Sequence, residues 1–486
     1  MASGGGTSET PICPGPIDRR EFLRIGLTGF ASLSLPGLFQ LRARASTTPQ
    51  KDGDQPTAVI LVWLRGGLSH LESYDPKPDA PADIRGEYGT IPTGVPGLRL
   101  SELIPLHARI ADKFTLVRSM SHTGGGHPSG SLQMLTGDPA TQDKMRPVYP
   151  DWMTVANLLR SRETATGHKR VLPNYVGVNP IQSYDGFGIA GSAYVSPAYG
   201  PFAVTGDPST PQFRVPNIGL DDPSKVARLS ERAQLKDSLD RLSRAVDQSG
   251  TMSAIDSFEA QALDLLTSPA AREAFDLGRE PDHVRDRYGR HRWGQQLLMA
   301  RRLVEAGVEI VTTTLDGPLC GRVENWDDHG VNQHVFEAYR LRMPYFDQAV
   351  SALIEDVYAR GLDKRVLVVV TGEFGRRPRV NTEISTGGGV GSRPAGTSQP
   401  GRDHWCAAFS QLWAGGGIQT GGVVGATDKY GEHVKERRFS TGDFLATLYN
   451  HLGIADAASI MLPDFTGRPV SILPQGGTPI AELRRT

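Results

Sequence analysis

Histidines and carboxylates in this sequence gather in short clusters, each beside an apolar run. The clusters are His70/Glu72/Asp75, His122/His127, Asp327/His329, Glu373/Arg376 and Asp403/His404. Imidazoles and carboxylates together make the donor set of a borderline divalent cation, Zn first, with Mn, Fe or Ca as alternatives. Such an ion polarises a phosphoryl, sulfuryl or acyl oxygen and lowers the pKa of a bound water. An Arg beside that set, Arg376 or Arg402, would neutralise an anionic oxygen. Asp327 and His329 form the most compact pair, in the run E-N-W-D-D-H-G that starts at Glu324. A turn-forming Asp with a surface His is the plainer reading of that pair, and a solvated strand end is the plainer reading of Glu373 and Arg376.

The elements that must position these groups are legible from periodicity. Residues 366–370 are five consecutive apolar residues, mostly β-branched, and read as a strand buried on both faces. That strand stops at Thr371-Gly372, so Glu373 and Arg376 follow its end. A second buried strand, 58–64, is closed by Arg65-Gly66-Gly67 and leads to His70, Glu72 and Asp75. A third, 114–120, leads to His122 and His127, with Gly124, Gly125 and Gly126 between them letting the backbone approach a ligand. The helix expected after His127 ends at Gly137, and its N-terminus would suit a phosphate- or sulfate-like anion. A fourth strand, 308–315, precedes Asp327 and His329.

Helical spacing marks 102–113, 152–160, 293–306, 335–360 and 441–452. The helical stretch 221–307 reads as an insert or cap. Residues 151–220 pass from their first helix into long loops that cap the sheet edge, and 381–400 read as a mobile loop. Strands alternating with helices predict one α/β domain over 58–486, three-layered, with a mostly parallel sheet and helices on both faces. Parallel strands share one carboxyl edge, so the loops carrying the clusters converge there.

The first 45 residues read differently. The run D-R-R-E-F-L-R from Asp18 resembles the bacterial twin-arginine export motif. A short apolar stretch broken by Gly and Pro follows it, and then Ala43-Arg44-Ala45, a signal-peptidase pattern. This predicts a signal peptide over 1–45, a tether over 46–57, the twin-arginine translocase as export partner, and a periplasmic or secreted protein. No apolar run is long enough to span a membrane. Net charge is −1 and no basic stripe occurs, which argues against a nucleic-acid partner. Cys320 and Cys406 remain after the leader, and in an oxidising compartment they could pair.

Several motifs coincide in order with one family. The leader, G-G-L-S-H-L-E-S-Y-D-P-K-P, W-D-D-H-G-V-N, T-G-E-F-G-R-R-P and G-R-D-H-W resemble the exported bacterial proteins of the domain of unknown function 1501 family, over about residues 58–474. That family is in turn similar in fold to the alkaline phosphatase and sulfatase superfamily. The wider resemblance implies metal ligands at Asp327, His329 and His404, with Glu373 at the place of a metal-binding acid. It departs in three places. Arg65-Gly66 stands where an Asp is expected, so Glu72 or Asp75 would substitute. Gly126-His127 stands where a Ser, Thr or Cys nucleophile precedes a helix ending in Leu135-Thr136-Gly137. Phe374 stands where a His would follow the acid.

Two functions follow as expectations. The first is an exported, alkaline-phosphatase-like or sulfatase-like hydrolase acting on an anionic small-molecule or polysaccharide ester of phosphate or sulfate. Its metal ligands would be Asp327, His329, Glu373, His404 and Glu72, with His127 as nucleophile or proton shuttle and Arg376 as oxyanion stabiliser. The alternative is a non-catalytic periplasmic binding or accessory protein that keeps the fold.

Overall fold

A computed structural model describes residues 56–164, 171–215, 218, 265, 268–317, 325–389 and 391–485. The expected leader, the expected tether up to residue 55, residues 221–264 and Cys320 lie outside the described residues.

Eight strands form the central sheet, labelled here in chain order. They are β1 (Ala58–Trp63), β2 (Phe114–Met120), β3 (Tyr175–Val178), β4 (Phe202–Val204), β5 (Ile310–Thr314), β6 (Val366–Thr371), β7 (Phe409–Gly415) and β8 (Gly422–Val424). Their spatial order is β8-β2-β7-β6-β1-β5-β3-β4. Only β7 runs against the rest, pairing antiparallel with both β6 and β2. The expected mostly parallel sheet is therefore present.

β1 and β6 are buried along their whole length because each feeds two cores. On β1, Ala58, Ile60 and Val62 enter one apolar cluster, and Val59, Leu61 and Trp63 enter the other. Helices cover both faces, giving three layers. The first core is completed by α3 (Arg292–Glu305) and α4 (Val335–Ala359), the second by α1 (His127–Thr136), α2 (Trp152–Thr164) and α5 (Thr441–His451). α3 therefore belongs to a main layer, although it falls inside the stretch 221–307 expected to be an insert or cap. Its Leu297, Leu298, Leu303 and Val304 are fully buried, and that burial is what the amphipathic spacing signalled. Among the described residues no helix is long and apolar enough to cross a membrane.

Register brings the loops together. Trp63 pairs with Thr371 on one side and Thr314 on the other, so β1, β6 and β5 end level. Phe409, the first residue of β7, pairs with Met120, the last of β2. The antiparallel strand thus brings the chain before it, with His404, to the edge where the parallel strands finish. The expected mobile loop 381–400 contains a ribbon, Asn381–Ile384 paired with Ser398–Gly401. Backbone pairing, invisible in a Gly- and Ser-rich composition, orders it.

Candidate metal centre

Each arm of the site is fixed by a local device. His127 is the first residue of α1, preceded by Gly126 in an extended conformation. Arg376 and His404 are cross-strand partners in a two-residue ribbon, Gly375–Arg376 against His404–Trp405. Asp327 is placed by its neighbour Trp326, which stacks on Trp293 at 5.6 Å and donates its indole N–H to Leu315 O at 2.8 Å. The Asp327 loop then docks on the end of β1, where Trp326 N donates to Arg65 O at 2.8 Å. Gly66 makes that contact possible: its φ is +110°, and a Cβ there would lie 2.5 Å from Asp327 N. No other residue tolerates both constraints.

One oxygen, Asp327 Oδ1, is the focus. His127 Nε2 lies 3.2 Å from it, His329 Nε2 3.1 Å, His404 Nε2 3.3 Å and Arg376 Nη2 2.6 Å. His329 Nε2 and His404 Nε2 are 2.9 Å apart. The ligand atoms of His127, Asp327 and His404 all lie within 4.8 Å of one another. His329 also belongs to a second such group with Glu383 and Asp403.

The outer nitrogens determine what the inner ones carry. His127 Nδ1 meets Glu373 Oε1 at 2.7 Å, His329 Nδ1 meets Asp403 Oδ1 at 3.1 Å, and His404 Nδ1 meets Gly125 O at 2.9 Å. All three partners are acceptors, so each Nδ1 can keep its proton while Nε2 offers a lone pair to an ion. In that form three imidazole nitrogens and a carboxylate oxygen would face an ion, beside the Arg376 guanidinium. This donor set fits a divalent ion such as Zn, and each imidazole already has the outer partner that metal-bound histidines keep.

Without an ion the inner nitrogens can instead carry protons toward Asp327 Oδ1, and the titration shifts reflect that. Burial pushes His127 and His329 down, but their carboxylate neighbours outweigh it and both are raised. Burial prevails at His404, which is lowered. Burial also opposes ionisation of Asp327, yet Arg376 and the three imidazoles hold its carboxyl far below the usual range.

The expected residues divide into three groups. Asp327, His329 and His404 come together, and His127 joins them through Nε2. Glu373 holds the His127 Nδ1, and the His127 Nε2 is aimed at Asp327. Glu373 lies behind His127 instead of among the inward-facing donors; its Oε1 also accepts from Gly66 N at 2.9 Å. Glu72 is not brought to the centre. It is fully buried and paired with the Arg402 guanidinium at 2.7 Å, with Ser69 as a further donor. Asp75 is likewise committed elsewhere, to Lys77 at 3.0 Å and Arg118 at 3.3 Å.

Neither guanidinium singled out in the sequence is free for an oxyanion. Arg376 donates to the carbonyls of Gly66, Gly67 and Arg402 besides Asp327, and Arg402 to Glu72 and the carbonyls of Arg377, Pro378 and Ile84. The anion position at the N-terminus of α1 is filled by the protein itself: Asp143 Oδ1 accepts from Ser129 N at 2.9 Å.

Tyr184 was not found by sequence reasoning. It stacks on the His127 imidazole at 3.9 Å and 11°. It sits among scattered aromatics in 171–204, where no spacing distinguishes a site residue from loop packing. Asp403 was legible beside His404, but its role as the His329 Nδ1 partner was not.

No curated protein matches this chain. Among solved structures it is similar to the PsFucS1 sulfatase from Pseudoalteromonas sp. at 14% identity, covering 90% of this chain and 73% of that one, with a TM-score of 0.32. It is also similar to a phosphonate monoester hydrolase from Silicibacter pomeroyi (13% identity, 89% and 78% covered, TM-score 0.34). A third is a protein in the alkaline phosphatase superfamily from Vibrio parahaemolyticus (10% identity, 90% and 76% covered, TM-score 0.32). The model of the family described as protein of unknown function (DUF1501) matches residues 56–484, and the chain belongs to that family.

Proposed function

We propose that this protein is an exported, metal-dependent hydrolase of phosphate or sulfate esters. One observation carries the reading: three imidazoles, each with its Nδ1 tied to an acceptor, direct Nε2 toward Asp327 Oδ1. His127, His329, His404 and Asp327 would hold the ion. When bound, a divalent cation supplies charge for a phosphoryl or sulfuryl oxygen and lowers the pKa of water.

The protein's own part is orientation. Glu373, Asp403 and Gly125 O fix the ring tautomers, and Arg376 fixes the Asp327 carboxylate while balancing its charge. The ester would approach where the side chains of His404, His329 and Asp327 are 24%, 21% and 14% exposed. An anionic small molecule or a polysaccharide ester suits that open side. The twin-arginine leader supports passage through the translocase to the periplasm or beyond.

Metal analysis of the purified protein, with aryl phosphate and aryl sulfate turnover, tests the reading. We expect a bound divalent metal that is lost in His329→Ala and His404→Ala, together with loss of turnover. Absence of metal from the wild type, or unchanged content in both variants, would reject it. A non-catalytic role has one observation in its favour, since the buried Arg376 and Arg402 guanidiniums donate to protein acceptors. Metal binding without turnover of either ester class would select that role.

A further inference from the structure

We propose that Tyr184 is a positioning residue for His127, holding its imidazole in the plane in which Nε2 reaches the centre. The proposal rests on the metal-site reading above. Tyr184 comes from outside the sheet, on the two-residue ribbon Ser183–Tyr184 paired with Phe187–Gly188. Gly188 N is anchored to Met145 O at 2.9 Å. The Tyr184 ring is buried and lies nearly parallel to the His127 ring, centroids 3.9 Å apart. The Arg65 guanidinium sits 4.4 Å from the same ring, necessarily on its other face, because His127 occupies the first. The result is a three-deck stack of guanidinium, phenol and imidazole.

His127 needs such a partner more than the other two imidazoles do. Its ring torsion is intrinsically broad, and the backbone before it is a triple glycine. Glu373 and Asp327 hold its two nitrogens. Among the described residues the His404 ring at 4.2 Å and 67° and the Phe374 ring at 5.2 Å and 36° are inclined to it, and Tyr184 is the ring stacked parallel on its face. A swing about the Nδ1 hydrogen bond would carry Nε2 off the centre. The hydroxyl serves a separate purpose. Asn325 Oδ1 accepts from Asp327 N at 3.0 Å, which fixes the amide, so its Nδ2 donates to Tyr184 Oη at 3.3 Å. The ring thus positions His127, while the hydroxyl only leans on the Asp327 loop.

The experiment compares wild type, Tyr184→Phe, Tyr184→Leu and Tyr184→Ala by competition with a chromophoric chelator for Zn²⁺ and by the visible spectrum of the Co²⁺-loaded protein. Outer partners of metal-bound histidines are worth about 10–100-fold in affinity. We expect Y184L and Y184A to lose that much and to show an altered Co²⁺ spectrum, with Y184F close to wild type in both. Metal-free thermal unfolding of Y184L confirms an intact fold; should Y184A not fold, Y184L against Y184F carries the comparison. Wild-type affinity and spectrum in Y184L, or a loss in Y184F equal to that in Y184L, overturns the positioning role while leaving the metal centre standing. A wild type that binds neither Zn²⁺ nor Co²⁺ overturns the centre and this proposal with it.

Discussion

Asp327 and Asp328 are adjacent in sequence and opposite in circumstance. Asp328 is turned into the protein, fully buried, and its carboxylate meets the buried Arg342 guanidinium. That guanidinium also lies 4.7 Å from the Trp326 ring and 4.9 Å from Tyr339, and donates to the carbonyls of Asn325 and Ala338. It is a closed structural pair. Asp327 faces the sheet edge and shares one oxygen among a guanidinium and three imidazoles. Burial raises the Asp328 pKa despite Arg342, whereas Arg376 and the imidazoles depress that of Asp327. The difference teaches that burial alone does not mark a functional carboxylate. What distinguishes Asp327 is one oxygen faced by a guanidinium and three imidazole nitrogens that can also bind an ion.

The largest expected effect tests the closed half. Asp328→Ala leaves Arg342 buried without a counter-charge, and losing one member of a buried ion pair costs about 3–5 kcal/mol. Urea unfolding of the metal-free protein should show that loss; a midpoint equal to wild type would erase the contrast between the two carboxylates. Asp327→Asn tests the open half. It should lower affinity for Zn²⁺ by more than the roughly 100-fold that an outer partner is worth, because it removes an oxygen that itself faces the ion. Its metal-free midpoint should fall as well, because the buried Arg376 loses its counter-charge, but less than that of D328A, because Asn keeps an oxygen that accepts from Arg376. Glu373→Ala comes next, at about 10–100-fold in Zn²⁺ affinity, since it frees His127 Nδ1 without touching an inward-facing atom. A loss in E373A as deep as in D327N would make Glu373 a direct ligand, as its sequence position had suggested.

The place of Glu373 behind His127 shows where sequence reading stops. The sheet was legible because β1 and β6 are unbroken apolar runs, and the convergence of His127, Asp327 and His329 followed from parallel strands sharing an edge. Which atom faces inward was not legible. Glu373 and His127 are 246 positions apart, and their 2.7 Å contact depends on side-chain direction at a strand end and at a helix start. The sequence offered Glu72 as a ligand because it lies near His70 after β1. Its true partner, Arg402, is 330 positions away and identifies itself only through packing. The direction of β7 was hidden too, since an apolar run reads the same either way, and it is that reversal which brings His404 in before a strand instead of after one.

The smallest expected effect separates the imidazoles of the centre from those closed into the core. Burial pushes His122 and His451 down to about 4. His451 Nε2 contacts Ala58 O at 3.0 Å at the opposite end of β1 from the centre, so its titration is independent of any metal. A histidine whose folded pKa is depressed is neutral in both states above about 6.5, where it adds no pH dependence. As pH falls below that value the unfolded chain takes up the proton first, and stability drops until the folded state also protonates near 4. Urea midpoints of the metal-free protein should therefore decline from pH 6.5 toward 4. His451→Asn should make that decline shallower, whereas His329→Asn, removing a ring whose pKa is raised, should leave it in place. An equal flattening in both variants would place the acid sensitivity in the centre and dissolve the distinction between open and closed histidines.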